Sequence, residues 1–280
     1  MFRKISVSKY TRGCAAPVLL AGSLFSCPSF VSATDRDGGG GNAERNLFNN
    51  TATVLTAPLS WEKNDWRRFG TVAGVTAGTL FIIDKNHDNY TKNIGGDVDY
   101  ISEKAKFFGD GLFILPFCGA AYAYGKLTGR TRLPEAAAAG AQSYLISGLV
   151  VTMIKFAVHR PRPNKGGEYS GFEEQSFFSG ENLSFPSGHT ASAFAVASVT
   201  GYYYGDSPWK VGTAYALAGL VGWSRFNDHD HWPSDVFAGA ALGYYIGKKV
   251  SALNNGGADG LSLVPVDIPG GQGFGLASRF

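Results

Sequence analysis

No acidic residue occurs between Met1 and Ala33. Arg3, Lys4, Lys9 and Arg12 form a basic start there, and an apolar run follows from Ala15 to Phe25. Val31-Ser32-Ala33 then supplies small residues at the spacing a signal peptidase reads. Together these make a secretory signal, so residues 1–33 are expected to be a signal peptide and the mature chain extracytoplasmic, in the periplasm. Cysteine is scarce as well. Cys14 and Cys27 fall inside the leader, which leaves Cys118 alone after cleavage. A single thiol closes no internal disulfide, and in its apolar stretch Cys118 reads as a small buried hydrophobe. A charge excess is also missing. The 25 Lys and Arg against 22 Asp and Glu leave only +3, which excludes a broad basic face and with it a nucleic-acid partner.

Sustained apolar–polar alternation is absent from the middle of the chain, and so is any internal repeat. What is present is a series of about six apolar, helix-like segments rich in Ala, Gly and Leu, near 60–83, 105–126, 134–158, 188–204, 209–224 and 233–250. The expected fold is therefore all-α, a helical bundle over residues 60–251. A polar, Gly-rich linker occupies 34–59 before it. A Gly-rich tail follows over 252–280, in which Leu261 to Val266 and Gly273 to Phe280 could pair as a β-hairpin. The longest gap between helices, Arg160 to Pro186, is long enough to be read as a functional loop, and its Phe172, Phe177 and Phe178 could meet an acyl chain or pack the loop. Long unbroken hydrophobic runs are few. A membrane span needs about 20 mostly apolar residues, and only Ala136 to Ile154 clearly offers them.

Three clusters carry the chemistry. In the first, Lys155-Phe-Ala-Val-His-Arg-Pro-Arg162-Pro163, a helix ends in basic residues. Alone, that reads as an ordinary helix end satisfying its last carbonyls. Pro161 and Pro163 argue for more, because they stop the helix and stiffen the turn. A guanidinium held in that way suits a pair of phosphate oxygens. In the second, Pro186-Ser187-Gly188-His189, Ser187 reads as the cap or first turn of an apolar helix. Free N–H groups there attract an anion, Gly188 lets it come close to the backbone, and His189 stands beside it, placed to donate a proton. In the third, Ser224-Arg225 is followed after five residues by His231 and after three more by Asp235. Arg225 is another candidate phosphate ligand. A helical turn brings His231 and Asp235 together, and a carboxylate on Nδ1–H leaves Nε2 as a nucleophile. The same pair serves equally well as a buried structural contact.

Other polar residues are given lesser roles. His229 and His231 with Asp228, Asp230 and Asp235 have the composition of a metal site, but three basic residues already supply the charge a metal would, so no metal is expected. His159 belongs to the turn beside the site. Asp84-Lys-Asn-His87-Asp88 has acidic residues but not the ligand spacing of a calcium loop.

Taken together the clusters read K-x6-R-P, P-S-G-H and S-R-x5-H-x3-D, complete and in order across roughly 153–239. In this the chain resembles the superfamily of type-2 phosphatidic acid phosphatases, bacterial non-specific acid phosphatases and vanadium haloperoxidases. The resemblance implies a helical bundle with its site at one end. It implies a phosphohistidine on His231 oriented by Asp235, with His189 protonating the leaving group and then activating water. Lys155, Arg162, Arg225, Ser187 and the Gly188 N–H would hold the phosphate oxygens. No cofactor is implied for hydrolysis, although vanadate fits the same ligands, as an inhibitor or, in the haloperoxidase branch, as the cofactor.

Within the phosphatases, the Ser-Phe-Pro-Ser-Gly-His-Thr segment and its Ala-rich helix look more like the lipid branch, with phosphatidic acid or a polyprenyl pyrophosphate as substrate. The leader and short helices look more like the soluble periplasmic acid phosphatases. A non-catalytic envelope protein would have been expected to show a degraded motif. A cleaved leader also bears on topology. Three crossings before the first motif would turn the site toward the cytoplasm, opposite to the outward-facing site of resembling membrane phosphatases. A soluble or peripheral domain that meets a membrane surface is the expectation.

Overall fold

The computed structural model describes residues 47–86, 96–166, 168–170, 182–256, 261–268 and 271–278. The expected signal peptide, His87 and the aromatic residues of the 171–181 loop lie outside them. Eight α-helices are formed among the described residues: α1 Leu47–Thr56, α2 Lys63–Ile82, α3 Gly96–Lys106, α4 Gly111–Leu127, α5 Arg132–Val158, α6 Gly188–Tyr203, α7 Pro208–Asn227 and α8 Pro233–Asn254. The all-α expectation for the body of the chain is met. After α8, β1 (Leu261–Ile268) pairs antiparallel with β2 (Gly271–Ser278), with Leu261 opposite Ser278.

Two helices were not anticipated. Residues 47–56, expected to be part of a linker, form α1, and its anchor is local chemistry that a polar composition hides. Asn50 donates to Gln142 and to Asn254, each at 2.8 Å. Val54 packs on Ile146, Ile246 and Val250. α3 was missed because its sequence, GDVDYISEKAK, is polar. Asp110, which interrupts the apolar run there, is the reason α3 and α4 are separate: its Oδ1 accepts the Leu112 N–H at 2.8 Å and caps α4.

α6 is the central helix, packed between α5, α7 and α8. Nine of its sixteen residues are buried, and most of those are Ala, Ser or Thr, so it is enclosed nearly all round. Its tightest partner is α8, through a stripe of glycines. A Cβ on Gly239 would lie 2.5 Å from the Ser187 carbonyl oxygen, one on Gly243 2.0 Å from that of Ala191, and one on Gly247 2.3 Å from that of Ala195. Only glycine permits two helix backbones to approach so closely.

The outer faces of α2 and α4 are apolar where they meet solvent, with Trp66, Phe69, Phe81, Leu112, Phe117 and Leu127 all exposed. Scattered exposed apolar residues are ordinary, but faces this rich in them mark an interaction surface. Among the described residues one helical segment, Arg132–Lys165, is long and apolar enough to cross a membrane by length and composition. The bent pair α3–α4 would make a second if counted as one span.

Candidate active site

Four helix ends converge at one place. α5 ends at His159, whose backbone adopts the left-handed conformation (φ 48°, ψ 44°) and whose N–H closes the last turn on the Lys155 carbonyl. Lys155 is thereby held in the final turn, and Pro161 and Pro163 keep the chain extended through Arg162. Lys155 Nζ donates to the Leu183 carbonyl at 2.5 Å, joining this end to the segment before α6. Ser187 caps α6, and its N–H donates to the Asp235 carbonyl at 3.0 Å, joining α6 to α8.

His231 precedes α8, and Asp235 sits in its first turn, where a negative charge suits the helix dipole. His231 is 3% exposed and Asp235 is fully buried. The His231 Nδ1 to Asp235 Oδ2 distance is 3.6 Å, an ion-pair contact longer than a good hydrogen bond. Ser184 fills the corner. Its Oγ donates to Asp235 Oδ2 at 2.5 Å and lies 3.4 Å from His231 Nδ1. Asp235 Oδ2 also accepts the Trp232 N–H at 3.0 Å.

Burial holds the His231 imidazole neutral. It pulls the pKa down to about 4 against the opposing pull of Asp235, and the charges of Lys155 and Arg162 act in the same direction as burial. Burial would raise the Asp235 carboxyl, yet His231, the Arg160 guanidinium and the Ser184 hydroxyl together hold it below the ordinary carboxylate range. His189 is pushed below its usual value too, by burial first and then by the Arg225 charge, with Asp110 and Asp230 opposing.

Arg225 ends α7 with its guanidinium fully engaged by carboxylates. NH2 donates to Asp228 at 2.6 Å and NH1 to Asp230 at 2.7 Å, while Nε reaches Ser224 Oγ at 3.3 Å. Asp230 also lies 3.9 Å from Arg162 NH1 and accepts from Asn164 at 2.9 Å. Asp228 and Asp230 are thus occupied with arginine, and among the described residues no group of three or more His, Cys, Asp or Glu gathers as a metal site. His189 and Arg225 line a cavity of about 440 Å³ whose opposite wall is the α3–α4 junction, with Lys104, Lys106, Phe107 and Asp110.

All eight expected site residues therefore lie at this meeting of helix ends. Two have surroundings that bear on an incoming anion. Ser187 is fully buried, its Oγ 2.9 Å from Thr190 Oγ1 and its N–H committed to Asp235. Gly188 has space beside it, since an added Cβ would meet only Val151, at 3.7 Å.

Sequence reading missed Arg160, Asp84 and Ser184. Arg160 was hidden inside the first motif, and the doubled Arg-Pro of Arg160-Pro-Arg162-Pro was its only signal. Asp84 was set aside with a segment that lacks the spacing of a calcium loop. It is in fact buried, bound to Arg160 at 2.8 Å and to the Ser234 N–H at 3.0 Å.

Residues 137–255 match the family model described as PAP2 superfamily. The three motifs lie inside that span, so the resemblance read from them stands. Among curated proteins, the chain is 47% identical over 66 residues to a lipid A 1-phosphatase of Porphyromonas gingivalis, covering 23% of this chain and 15% of that protein. It is 28% identical over 159 residues to a protein of Schizosaccharomyces pombe named probable diacylglycerol pyrophosphate phosphatase 1, covering 46% of this chain and 57% of that one. The chain thus spans little more than half, at most, of either relative. Among solved structures, Aquifex aeolicus LpxE aligns with a TM-score of 0.43 at 21% identity, over 59% of this chain and 91% of that one. A transmembrane PAP2-type phosphatidylglycerolphosphate phosphatase from Bacillus subtilis aligns with a TM-score of 0.46 at 18% identity, over 75% and 95%.

Proposed function

Taking residues 137–255 as a PAP2 superfamily segment, we propose that this chain is a phosphatase of phosphorylated lipids, working through a phosphohistidine on His231 without a metal. The observation that carries the reading is a buried imidazole, its Nδ1 3.6 Å from the buried Asp235 carboxylate, within the electrostatic reach of Lys155 and Arg162.

In the first step His231 Nε2 attacks phosphorus, the P–N bond forms and the ester P–O bond breaks. His189 gives its proton to the departing oxygen. In the second step His189 takes a proton from water, the water oxygen bonds to phosphorus and the P–N bond breaks, which releases inorganic phosphate and restores both histidines. Lys155, Arg162 and Arg225, with the N–H groups opening α6, stabilise the charge on the three non-bridging oxygens, the largest contribution in phosphoryl transfer. Asp235 keeps the proton on Nδ1 and balances the charge that His231 gains. Vanadate, with the shape of the five-coordinate phosphorus, acts as an inhibitor at the same ligands.

Three features support a lipid substrate at a membrane. Both curated relatives carry the names of lipid phosphatases. The apolar outer faces of α2 and α4 give the chain a surface for lipid. An apolar groove of about 590 Å³, with Phe194, Trp223, Phe226 and Phe237 on its walls, runs between the helices that carry Arg225 and Asp235 and suits an acyl chain.

The test is phosphate release by the purified full chain in detergent with EDTA present, comparing dispersed phosphatidate with p-nitrophenyl phosphate. EDTA-resistant release that favours phosphatidate and disappears in His231→Ala is the expected result. Release abolished by EDTA would overturn the metal-free mechanism, and preference for the soluble ester would overturn the lipid assignment.

A further inference from the structure

Arg160 is completely buried, although its neighbour in the motif, Arg162, keeps 35% of its side chain exposed. Its guanidinium lies 5.3 Å above the Trp232 ring, and that ring is pinned by a 2.9 Å hydrogen bond from Nε1 to the Pro161 carbonyl. NH1 donates to Asp235 Oδ1 at 2.6 Å and to Ser234 Oγ at 2.7 Å. NH2 donates to Asp84 Oδ2 at 2.8 Å and to the Tyr169 carbonyl. Asp84, from the turn after α2, is fixed in its own right by the Ser234 N–H at 3.0 Å and the Ser234 hydroxyl at 2.5 Å. Arg160 thus stands between two buried carboxylates, one from each end of the sequence.

Such a triad is a poor way to gain stability, because removing three charges from water costs as much as their attraction returns. Its geometry points elsewhere. The two oxygens of Asp235 have separate duties: Oδ1 is taken by Arg160, and Oδ2 faces His231, Ser184 and the Trp232 N–H. With Oδ1 held, the carboxylate cannot rotate away from the imidazole.

We propose that Arg160 and Asp84 are positioning residues for the nucleophile: Arg160 orients the Asp235 carboxylate toward His231, and Asp84 holds Arg160 at the distance where it orients Asp235 without neutralising it. The proposal rests on the phosphohistidine reading of His231 for its consequence in catalysis, but not for the state of the imidazole. The charged groups facing His231 are Asp235 on one side and Lys155 and Arg162 on the other. Those facing Asp235 are Arg160, His231 and Lys155. Removing the Arg160 charge therefore strengthens the pull of Asp235 on the imidazole, and removing the Asp84 charge weakens it. These shifts follow from charge alone, so the loss of kcat with KM unchanged, and its recovery in Arg160→Lys, mark positioning apart from a role confined to holding the fold.

The experiment is a pH titration by NMR of the full chain labelled with [15N]histidine, without substrate, with the five His resonances sorted by a His231→Gln reference. Arg160→Met is expected to raise the His231 midpoint by about one pH unit, the scale of one nearby charge. Asp84→Asn, which keeps the shape of the side chain, is expected to leave it at or below the wild-type value. In phosphate release, both variants should lose about tenfold in kcat with KM unchanged, and Arg160→Lys should recover part of the loss. If Arg160→Met does not fold, Asp84→Asn and Arg160→Lys carry the test. A His231 midpoint that does not rise in folded Arg160→Met, an Arg160→Lys that recovers none of the rate, or rate losses that only follow the folded fraction, would overturn the positioning role. A wild-type chain that releases no phosphate, but whose His231 shifts as stated, would remove the phosphatase reading and leave the positioning role standing.

Discussion

Arg225 NH1 and Asp230 Oδ2 lie 2.7 Å apart, a charge-assisted hydrogen bond on the edge of the guanidinium that an incoming phosphate would need. The same carboxylate is 3.9 Å from Arg162. Asp230 thus stands between Arg225 and Arg162, and on the proposed reading it would compete there with a phosphate oxygen. Asp230→Asn removes that competition, and KM for phosphatidate is expected to fall several-fold while KM in Arg225→Ala rises. Steady-state kinetics on both variants decides it, and a KM that rises in Asp230→Asn would mean that Asp230 orients Arg225 rather than competing for it.

The leaving group separates the two tasks given to His189. General acid catalysis contributes about 10²–10⁴-fold, most of it for poor leaving groups. In His189→Ala, phosphorylation of His231 by p-nitrophenyl phosphate should survive, because nitrophenolate needs no proton, and hydrolysis of the intermediate should not. A burst of one nitrophenol per site followed by a slow phase is the expected trace. A uniformly slow trace with no burst would remove His189 from the second step.

Two histidines with lowered pKa set the pH profile. His231 must be neutral to attack, and burial puts its titration at about pH 4. His189 must be protonated to donate, and it loses its proton below the ordinary 6.5. The profile of kcat/KM is expected to be a bell with its maximum between these limits, and an optimum above pH 7 would contradict the assignment. The sign for stability is the opposite of the usual salt-bridged histidine. As pH falls, the unfolded chain takes up the proton that folded His231 refuses, so the stabilisation is complete above pH 6.5 and is lost toward pH 4. The loss is about 3 kcal/mol from His231, and His189 adds to it in the same direction. Thermal midpoints at pH 7 and pH 4.5 measure it, with a shallower fall expected for His231→Gln.

Gly188→Ala probes the approach of the phosphate. The added methyl would meet only Val151, at 3.7 Å, an ordinary contact. Folding should be unaffected, with an unchanged thermal midpoint, while phosphate release drops by about tenfold or more if the anion sits against that backbone. Full activity would place the phosphate elsewhere.

Gly243→Ala is expected to be the reverse, a stability variant remote from the reacting atoms. Its Cβ would lie 2.0 Å from the Ala191 carbonyl oxygen, and forcing two helices apart costs about 1–3 kcal/mol or more. Gly119→Ala, where nothing lies within 4 Å, is the control and should be neutral or slightly stabilising. Thermal unfolding of the pair distinguishes packing from propensity.

Much of the site was legible because its residues sit in short local motifs at helix ends, where spacing, caps and prolines carry the signal. Lys155, Arg162, His189, Arg225, His231 and Asp235 were found in that way. What stayed hidden was held by long-range pairing. Asp84 meets Ser234 across 150 residues, and no local pattern announces such a partner. Ser184 opens the Ser-Phe-Pro-Ser-Gly-His-Thr segment but was given no role, because its contacts with Asp235 and His231 come from the chain that folds over it. In the fold, α3 was missed because its burial is confined to a few small residues such as Ser102 and Ala105, too few to give an apolar period. α1 was missed because amide side chains, Asn50 with Gln142 and Asn254, anchor much of it.

The glycine seam between α6 and α8 also divides the molecule into parts with different freedom to vary. His189 opens α6 and His231 stands just before α8, and the two helix backbones touch, so the spacing of these histidines is inherited from main chain rather than from side chains that drift under mutation. The wall facing them is of another kind: Lys104, Lys106 and Phe107 come from a junction whose side chains are mostly exposed. Substitution of these three exposed side chains can reshape the cavity mouth, whereas Gly109 and Asp110 of the same junction bear directly on His189. On the proposed reading, the entrance to the site is therefore free to vary at a few exposed side chains, while the reacting groups stay fixed by a seam that accepts almost no substitution.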